Sequence, residues 1–199
     1  MHLLNAASFL ALAVTLPLTA LASSTIDPRT ICLLKPKVSG YPVSILGVCL
    51  EDKQANFIVE KFKSILTNPD RSAAKATAEA LIAQVYVEES DSINILAGYT
   101  LGGPSFTSKK NFIDGVAAAP AIPSMKTLEV FHSCDKISWR WNVEGLGRQT
   151  YPVKGINTFV VDPCTGQIKA TYIEFSSIAW GVDIGWTCTP PPAGSGPLQ

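Results

Sequence analysis

The spacing of apolar positions changes character along the chain. Leu3 to Leu21 is an uncharged, mainly apolar stretch interrupted by Pro17. From Glu51 to Thr67, Ala55, Ile58, Phe62 and Ile65 recur at three- and four-residue steps, which predicts an amphipathic helix stopped by Asn68-Pro69. A second, alanine-rich helix is predicted from an N-cap at Ser72 to about Gln84. Val85-Tyr86-Val87 and Ile93-Asn94-Ile95-Leu96 read as short strands around the acidic turn Glu88-Glu89-Ser90-Asp91. Ser108 caps a third, short helix carrying Phe112, Ile113 and Val116, and Pro120 ends it.

Beyond Pro123 the period shortens to two. Across residues 126–134, Leu128, Val130, His132 and Cys134 share one face, expected to look toward the helices. Across 136–144, Ile137, Trp139, Trp141 and Val143 alternate with Ser138, Arg140, Asn142 and Glu144. The short link between these strands permits only a tight antiparallel turn. Strands 153–161 and 167–176 flank Asp162-Pro163-Cys164-Thr165-Gly166, a hairpin turn signature. Helices first and an antiparallel meander afterwards make the fold α+β.

The first stretch reads as a cleavable leader. Ala20, Leu21 and Ala22 form a small-x-small site before Ser23, and the basic flanks of a retained membrane anchor are missing. The expected organisation is a leader at 1–22, an extension at 23–48, one domain at 49–187 and a disordered Pro/Gly-rich tail at 188–199. Sixteen acidic and sixteen basic residues balance, without a basic block. Nucleic-acid binding is therefore not expected, nor membrane association once the leader is gone. In an exported protein the five cysteines read as bridge formers. Cys49, at the start of the first helix, and Cys134, on the strand face turned to the helices, are the expected pair. The partners of Cys32, Cys164 and Cys188 stay open, with one further bond expected among them.

Few motifs point to chemistry. The glycines from Gly98 to Gly103 lack a phosphate-loop lysine and dinucleotide spacing, and no serine stands in a G-x-S-x-G elbow. Neither a cofactor nor a metal site is expected. His132, the one histidine beyond the leader, suits a general acid or base by its near-neutral pKa. It equally suits a half-buried histidine bonded to a backbone carbonyl, and that reading is preferred. Asp91 could take a proton from carbon, yet Ser90-Asp91-Ser92 is also ordinary turn chemistry. Arg140 and Glu174 read as a cross-strand ion pair. Tyr86 offers a phenol to a pocket or to the core. Trp139 and Trp141 form an aromatic wall for a flat ligand or plain sheet core, and a register slip would turn them outward into a homodimer contact.

The order of elements resembles the nuclear transport factor 2-like superfamily, home of ketosteroid isomerases, scytalone dehydratases and polyketide cyclases. Ser90-Asp91-Ser92-Ile93-Asn94, Ile137-Ser138-Trp139-Arg140-Trp141, Val153-Lys154-Gly155-Ile156-Asn157, Ile173-Glu174-Phe175 and Ala179-Trp180-Gly181-Val182-Asp183-Ile184-Gly185 carry a closer likeness to secreted fungal proteins with this domain. The resemblance implies three helices packed on a curved antiparallel sheet, with a conical pocket between them. It places Tyr86, Asp91, His132, Trp139, Trp141 and Glu174 near the pocket. The expected function is binding of a small apolar molecule or a partner. The rivals are a cofactor-free isomerase, cyclase or dehydratase acting on a polyketide- or terpenoid-like substrate, and a structural protein of the cell wall or host interface. A cavity of about 300 Å³ holding His132 or Asp91 would favour an enzyme. Amino-terminal sequencing of material recovered outside the cell is expected to start at Ser23; a membrane-held form starting at Met1 would contradict the leader.

Overall fold

The structure is a computed structural model that describes Cys32, residues 37–42 and residues 49–189. The expected leader, most of the expected extension and the expected tail from residue 190 onward lie outside the described residues. Within them the chain forms helix α1 (Asp52–Thr67), α2 (Arg71–Leu81), strand β1 (Ile82–Glu89), α3 (Asp91–Ala97), β2 (Pro104–Phe106) and α4 (Lys109–Ala118). Then follow β3 (Ser124–His132), β4 (Lys136–Glu144), β5 (Val153–Asp162), β6 (Gln167–Phe175) and α5 (Ser177–Asp183). The α+β cone expected from the sequence is present, with five described helices around one curved sheet.

Local chemistry explains each helix. At α1 the Glu51 N–H donates to Gln54 Oε1 at 2.9 Å, closing a capping box, and Ala55, Ile58, Val59, Phe62 and Ile65 are buried along one face. Helix α2 starts earlier than expected, because Asp70 rather than Ser72 is its N-cap. The Asp70 carboxylate accepts from the N–H groups of Ser72 and Ala73, so Ser72 is already inside the first turn. Residues 93–96 are helical, not a strand. Ser90 Oγ accepts from Ile93 N–H at 3.0 Å, and Gly98, at φ 73°, ends the helix in a left-handed conformation. The two caps decide a run whose apolar pattern fits either state. Ser108 caps α4 as expected from the sequence.

The sheet runs β2-β1-β6-β5-β4-β3. Strands β3 to β6 form the expected antiparallel meander, but β1 lies parallel to β6, so the sheet is mixed. A bulge in β3 between Thr127 and Glu129 leaves Leu128 as an extra residue, 44% exposed. Leu128 therefore does not share the inner face with Val130 and His132. Strand β4 keeps its alternation throughout, and Ile137, Trp139, Trp141 and Val143 are all buried. This places both tryptophans on the concave face rather than on an outer, dimer-forming one. The Arg140–Glu174 ion pair does not form: Arg140 pairs with Glu129 at 2.7 Å on the outside.

Helix α1 lies in the hollow of the sheet. Phe62 sits at its centre, its ring centroid 4.8 Å from that of Phe159 and 6.0 Å from that of Phe112. The start of α1 is tied to the β3–β4 turn by a Cys49–Cys134 disulfide and by the Leu50 N–H, which donates to the Cys134 carbonyl at 2.8 Å. A second disulfide joins Cys32 to Cys164 in the β5–β6 turn, and Cys188 is free and exposed. Replacing Cys49 and Cys134 together by alanine is expected to lower stability by about 2–4 kcal/mol, since the bridge closes a long loop. Urea unfolding measures this, and an unchanged midpoint would show that the helix is held without it.

Candidate functional site

Between α1, the sheet and the shorter helices lies a cavity of about 360 Å³. Phe62 and Leu66 of α1, Phe112 and Val116 of α4, and Ile173 and Phe175 of β6 supply much of its apolar wall. Ile93, Leu96 and Ala97 of α3 and Trp180 of α5 close it from outside. Helix α5 is anchored by its last residue: the buried Asp183 carboxylate accepts the Thr150 N–H at 2.6 Å, while its carbonyl accepts the Arg148 N–H at 2.9 Å. Ala97 and Ala119 line the cavity yet are exposed, which marks the rim.

Two polar side chains face this apolar space, Glu88 and Asn157. Glu88 lies on β1 opposite Thr171 of β6 and is only 1% exposed. Its Oε2 is 2.7 Å from the Tyr86 hydroxyl, which also stands 2.9 Å from Thr171 Oγ1. With Glu88 ionised, the phenol donates to the carboxylate and accepts from the threonine. Among the described residues the carboxyl makes this one hydrogen bond, through Oε2, and Glu88 lines the cavity. Burial pushes this carboxyl up from 4.5 to about 7, against the opposing pull of the Tyr86 bond. The Tyr86 phenol is raised well above its usual 10.0, first by burial and then by the Glu88 charge.

Asn157 is oriented by its neighbour. Trp141 Nε1–H, which can only donate, gives its proton to Asn157 Oδ1 at 2.7 Å, so the asparagine NH₂ must point elsewhere. Among the described residues the Asn157 side chain makes this one hydrogen bond, and the residue lines the cavity. The indole reaches this position because Gly155 stands beside it: a Cβ there would lie 2.4 Å from Trp141 Cζ2 and 2.7 Å from Phe175 Cβ.

The candidates read from sequence divide. Tyr86 and Trp141 belong to the site, Tyr86 by supporting Glu88 and Trp141 as lining. Trp139 is core, stacked near Phe159, with its Nε1–H donating to Thr127 Oγ1 at 3.1 Å. His132 does not line the cavity. Its Nε2 pairs with Asp52 Oδ1 at 2.9 Å in the first turn of α1, and that bond leads the rise in its pKa. Asp91 accepts the Gly102 N–H at 2.7 Å, and Glu174 accepts the N–H groups of Asp91 and Ser92, so both brace α3. They border a more polar depression of about 330 Å³ shared with Ile156, Thr158 and Tyr172 of β5 and β6. Glu88 and Asn157 were missed. The signal lay in strand parity, since extending β1 to Glu89 puts Glu88 on the face of Tyr86, and Asn157 is in step with Val153 and Phe159.

A family model described as an NTF2-like domain matches residues 48–187. The chain belongs to the NTF2-like family. No curated protein sequence matches it. Among solved structures of this fold, a candidate isomerase from Bacillus subtilis is 16% identical with a TM-score of 0.51, covering 67% of this chain and 94% of that one. Wild-type IdmH, a candidate polyketide cyclase from Streptomyces antibioticus, is 15% identical with a TM-score of 0.49, covering 67% and 99%. At these identities the likeness to this NTF2-like chain is one of fold.

Glu88 also makes the site visible to pH. The folded carboxyl gives up its proton at about 7 and an unconstrained one at 4.5, so between these values the folded chain holds more protons. Stability therefore falls as pH rises through that window. Glu88→Gln is expected to match the wild type near about pH 4 and to exceed it by about 3 kcal/mol near about pH 8. Denaturant unfolding at the two pH values measures this, and a variant gap that does not change with pH would refute the buried acid.

Proposed function

We propose that this NTF2-like domain is an exported binding protein for a small, mainly apolar molecule, held in the cavity with its polar atoms at Glu88 and Asn157. The observation that carries the reading is an apolar hollow of about 360 Å³ lined by two polar side chains, Glu88, which meets Tyr86 through Oε2, and Asn157, which meets Trp141 through Oδ1. Export is supported by the uncharged leader with its small-x-small site and by the two disulfides, which suit an oxidising compartment. The likeness to secreted fungal proteins is part of the same reading. No helix of the described residues is long and apolar enough to cross a membrane.

A second reading, a cofactor-free isomerase, cyclase or dehydratase, is favoured by two observations, one of them that Asp91 borders the polar depression of about 330 Å³. A carboxyl titrating at about 7 can both take and return a proton near neutral pH. Glu88 would be the base in the apolar cavity and Asp91 the acid available in the polar depression, whereas His132 borders neither. A purely structural role at a cell wall draws no support from an open cavity.

Mass spectrometry of small molecules that co-purify with the secreted protein is expected to find an apolar compound, lost when Ala97→Trp and Ala119→Trp narrow the rim. A ligand retained by both variants would place binding elsewhere. The same compound incubated with protein in deuterated water separates the readings. Unchanged compound supports the binder, whereas carbon-bound deuterium appearing about 100-fold more slowly with Glu88→Gln supports the enzyme.

A further inference from the structure

The two polar groups of the cavity differ in what they ask of a ligand. Glu88 Oε1, when ionised, only accepts, and Asn157 Nδ2 only donates, its direction set by the Trp141 indole. They stand on β1 and β5 with β6 between them, so their backbones are about 10 Å apart across the sheet. Among the described residues no lysine, arginine or histidine lines the space. A carboxylate or phosphate brought here would lose its water, meet no cation and face the Glu88 carboxylate. A hydroxyl brought to Glu88 and a neutral oxygen brought to Asn157 would each add a hydrogen bond to a side chain that makes one among the described residues.

We infer that the ligand is an uncharged apolar molecule with two separated oxygens: a hydroxyl (alcohol, phenol or enol) that donates to Glu88 Oε1, and a carbonyl, ether or second hydroxyl that accepts from Asn157 Nδ2. Anionic amphiphiles such as fatty acids are excluded. Trp141 is then a positioning residue, because without its N–H the Asn157 amide is free to turn its oxygen inward. The inference rests on the binding reading above and adds the chemistry of the bound groups. The Glu88 carboxyl, raised to about 7, is largely ionised at mildly alkaline pH, where the requirement for a hydroxyl is strongest.

The test is calorimetric titration of the secreted protein at about pH 8 with naphthalene, naphthol, methoxynaphthol and naphthoate. Naphthol is expected to bind about tenfold more tightly than naphthalene, and methoxynaphthol about tenfold more tightly again, the size of one good hydrogen bond at each point. Naphthoate is expected to bind more weakly than naphthalene. In Glu88→Gln, which removes a buried charge and so keeps the fold, the penalty on naphthoate should shrink while the methoxy gain remains. Asn157→Leu should abolish the methoxy gain and leave the hydroxyl gain. Trp141→Phe, which keeps a ring but removes the donor, should reduce the methoxy gain alone. Naphthoate binding as tightly as naphthol, or a ligand order unchanged in Glu88→Gln, overturns the inference while leaving a binding cavity. Failure of all four probes, naphthalene included, overturns the binding reading itself and the inference with it.

Discussion

A curved sheet wider than the helix lying in it is the constraint on which the rest of this structure depends. Six strands span about 24 Å, whereas one helix is about 10 Å across. Helix α1 fills the part of the hollow beneath β3 to β5, where Phe62 meets Phe112, Trp139 and Phe159. It cannot also cover the ground between β1, β6 and the outer end of β5. That ground is roofed by α3, α4 and α5, of which α3 and α5 are only seven residues long. Such short helices leave space, and the cavity is that space.

The wall chemistry follows from the same geometry. Aromatic rings crowd one end of the hollow and drive out water, so the acid at the other end is desolvated without a cation to balance it. The carboxyl responds by holding its proton to about 7, and the Tyr86–Thr171 pair satisfies one of its oxygens but not the other. Trp141 joins the two ends, because its ring belongs to the aromatic cluster and its N–H orients Asn157. Gly155 makes this possible by having no side chain where the indole must lie. Thus a packing requirement on β5 becomes a hydrogen-bond donor aimed into the cavity.

The elements that pack on a single face were legible in the sequence. Ile137, Trp139, Trp141 and Val143 alternate without interruption, since the extra residue of the β3–β4 pairing lies on β3 and β4 pairs with β5 in unbroken register. The face of α1 could be read from the spacing of Ala55, Ile58, Phe62 and Ile65. Leu128 misled because a bulge adds one residue to β3, and nothing in its neighbours' hydropathy announces an extra residue. Ile93 to Leu96 misled because four residues are too few to separate a strand from a helix by period, and the caps at Ser90 and Gly98 carry the decision. Glu88 was hidden in an acidic run that reads as a solvated turn.

By itself the sequence determined what depends on neighbours along the chain: helices α1, α2 and α4, the antiparallel meander, the alternation of β4 and the α+β class. Those are set by periodicity and by caps, which act over a few residues. The tertiary structure alone decided which polar groups share one dry space. Strand β1 pairs in parallel with β6, far along the chain, and this carries Glu88 under the roof of α3 and α4. Asp91 and Glu174, close to it in sequence or in the sheet, are turned to brace α3 instead. Burial is a property of what folds over a residue, so an acid's transfer from water to an apolar wall is written in long-range pairing rather than in local pattern.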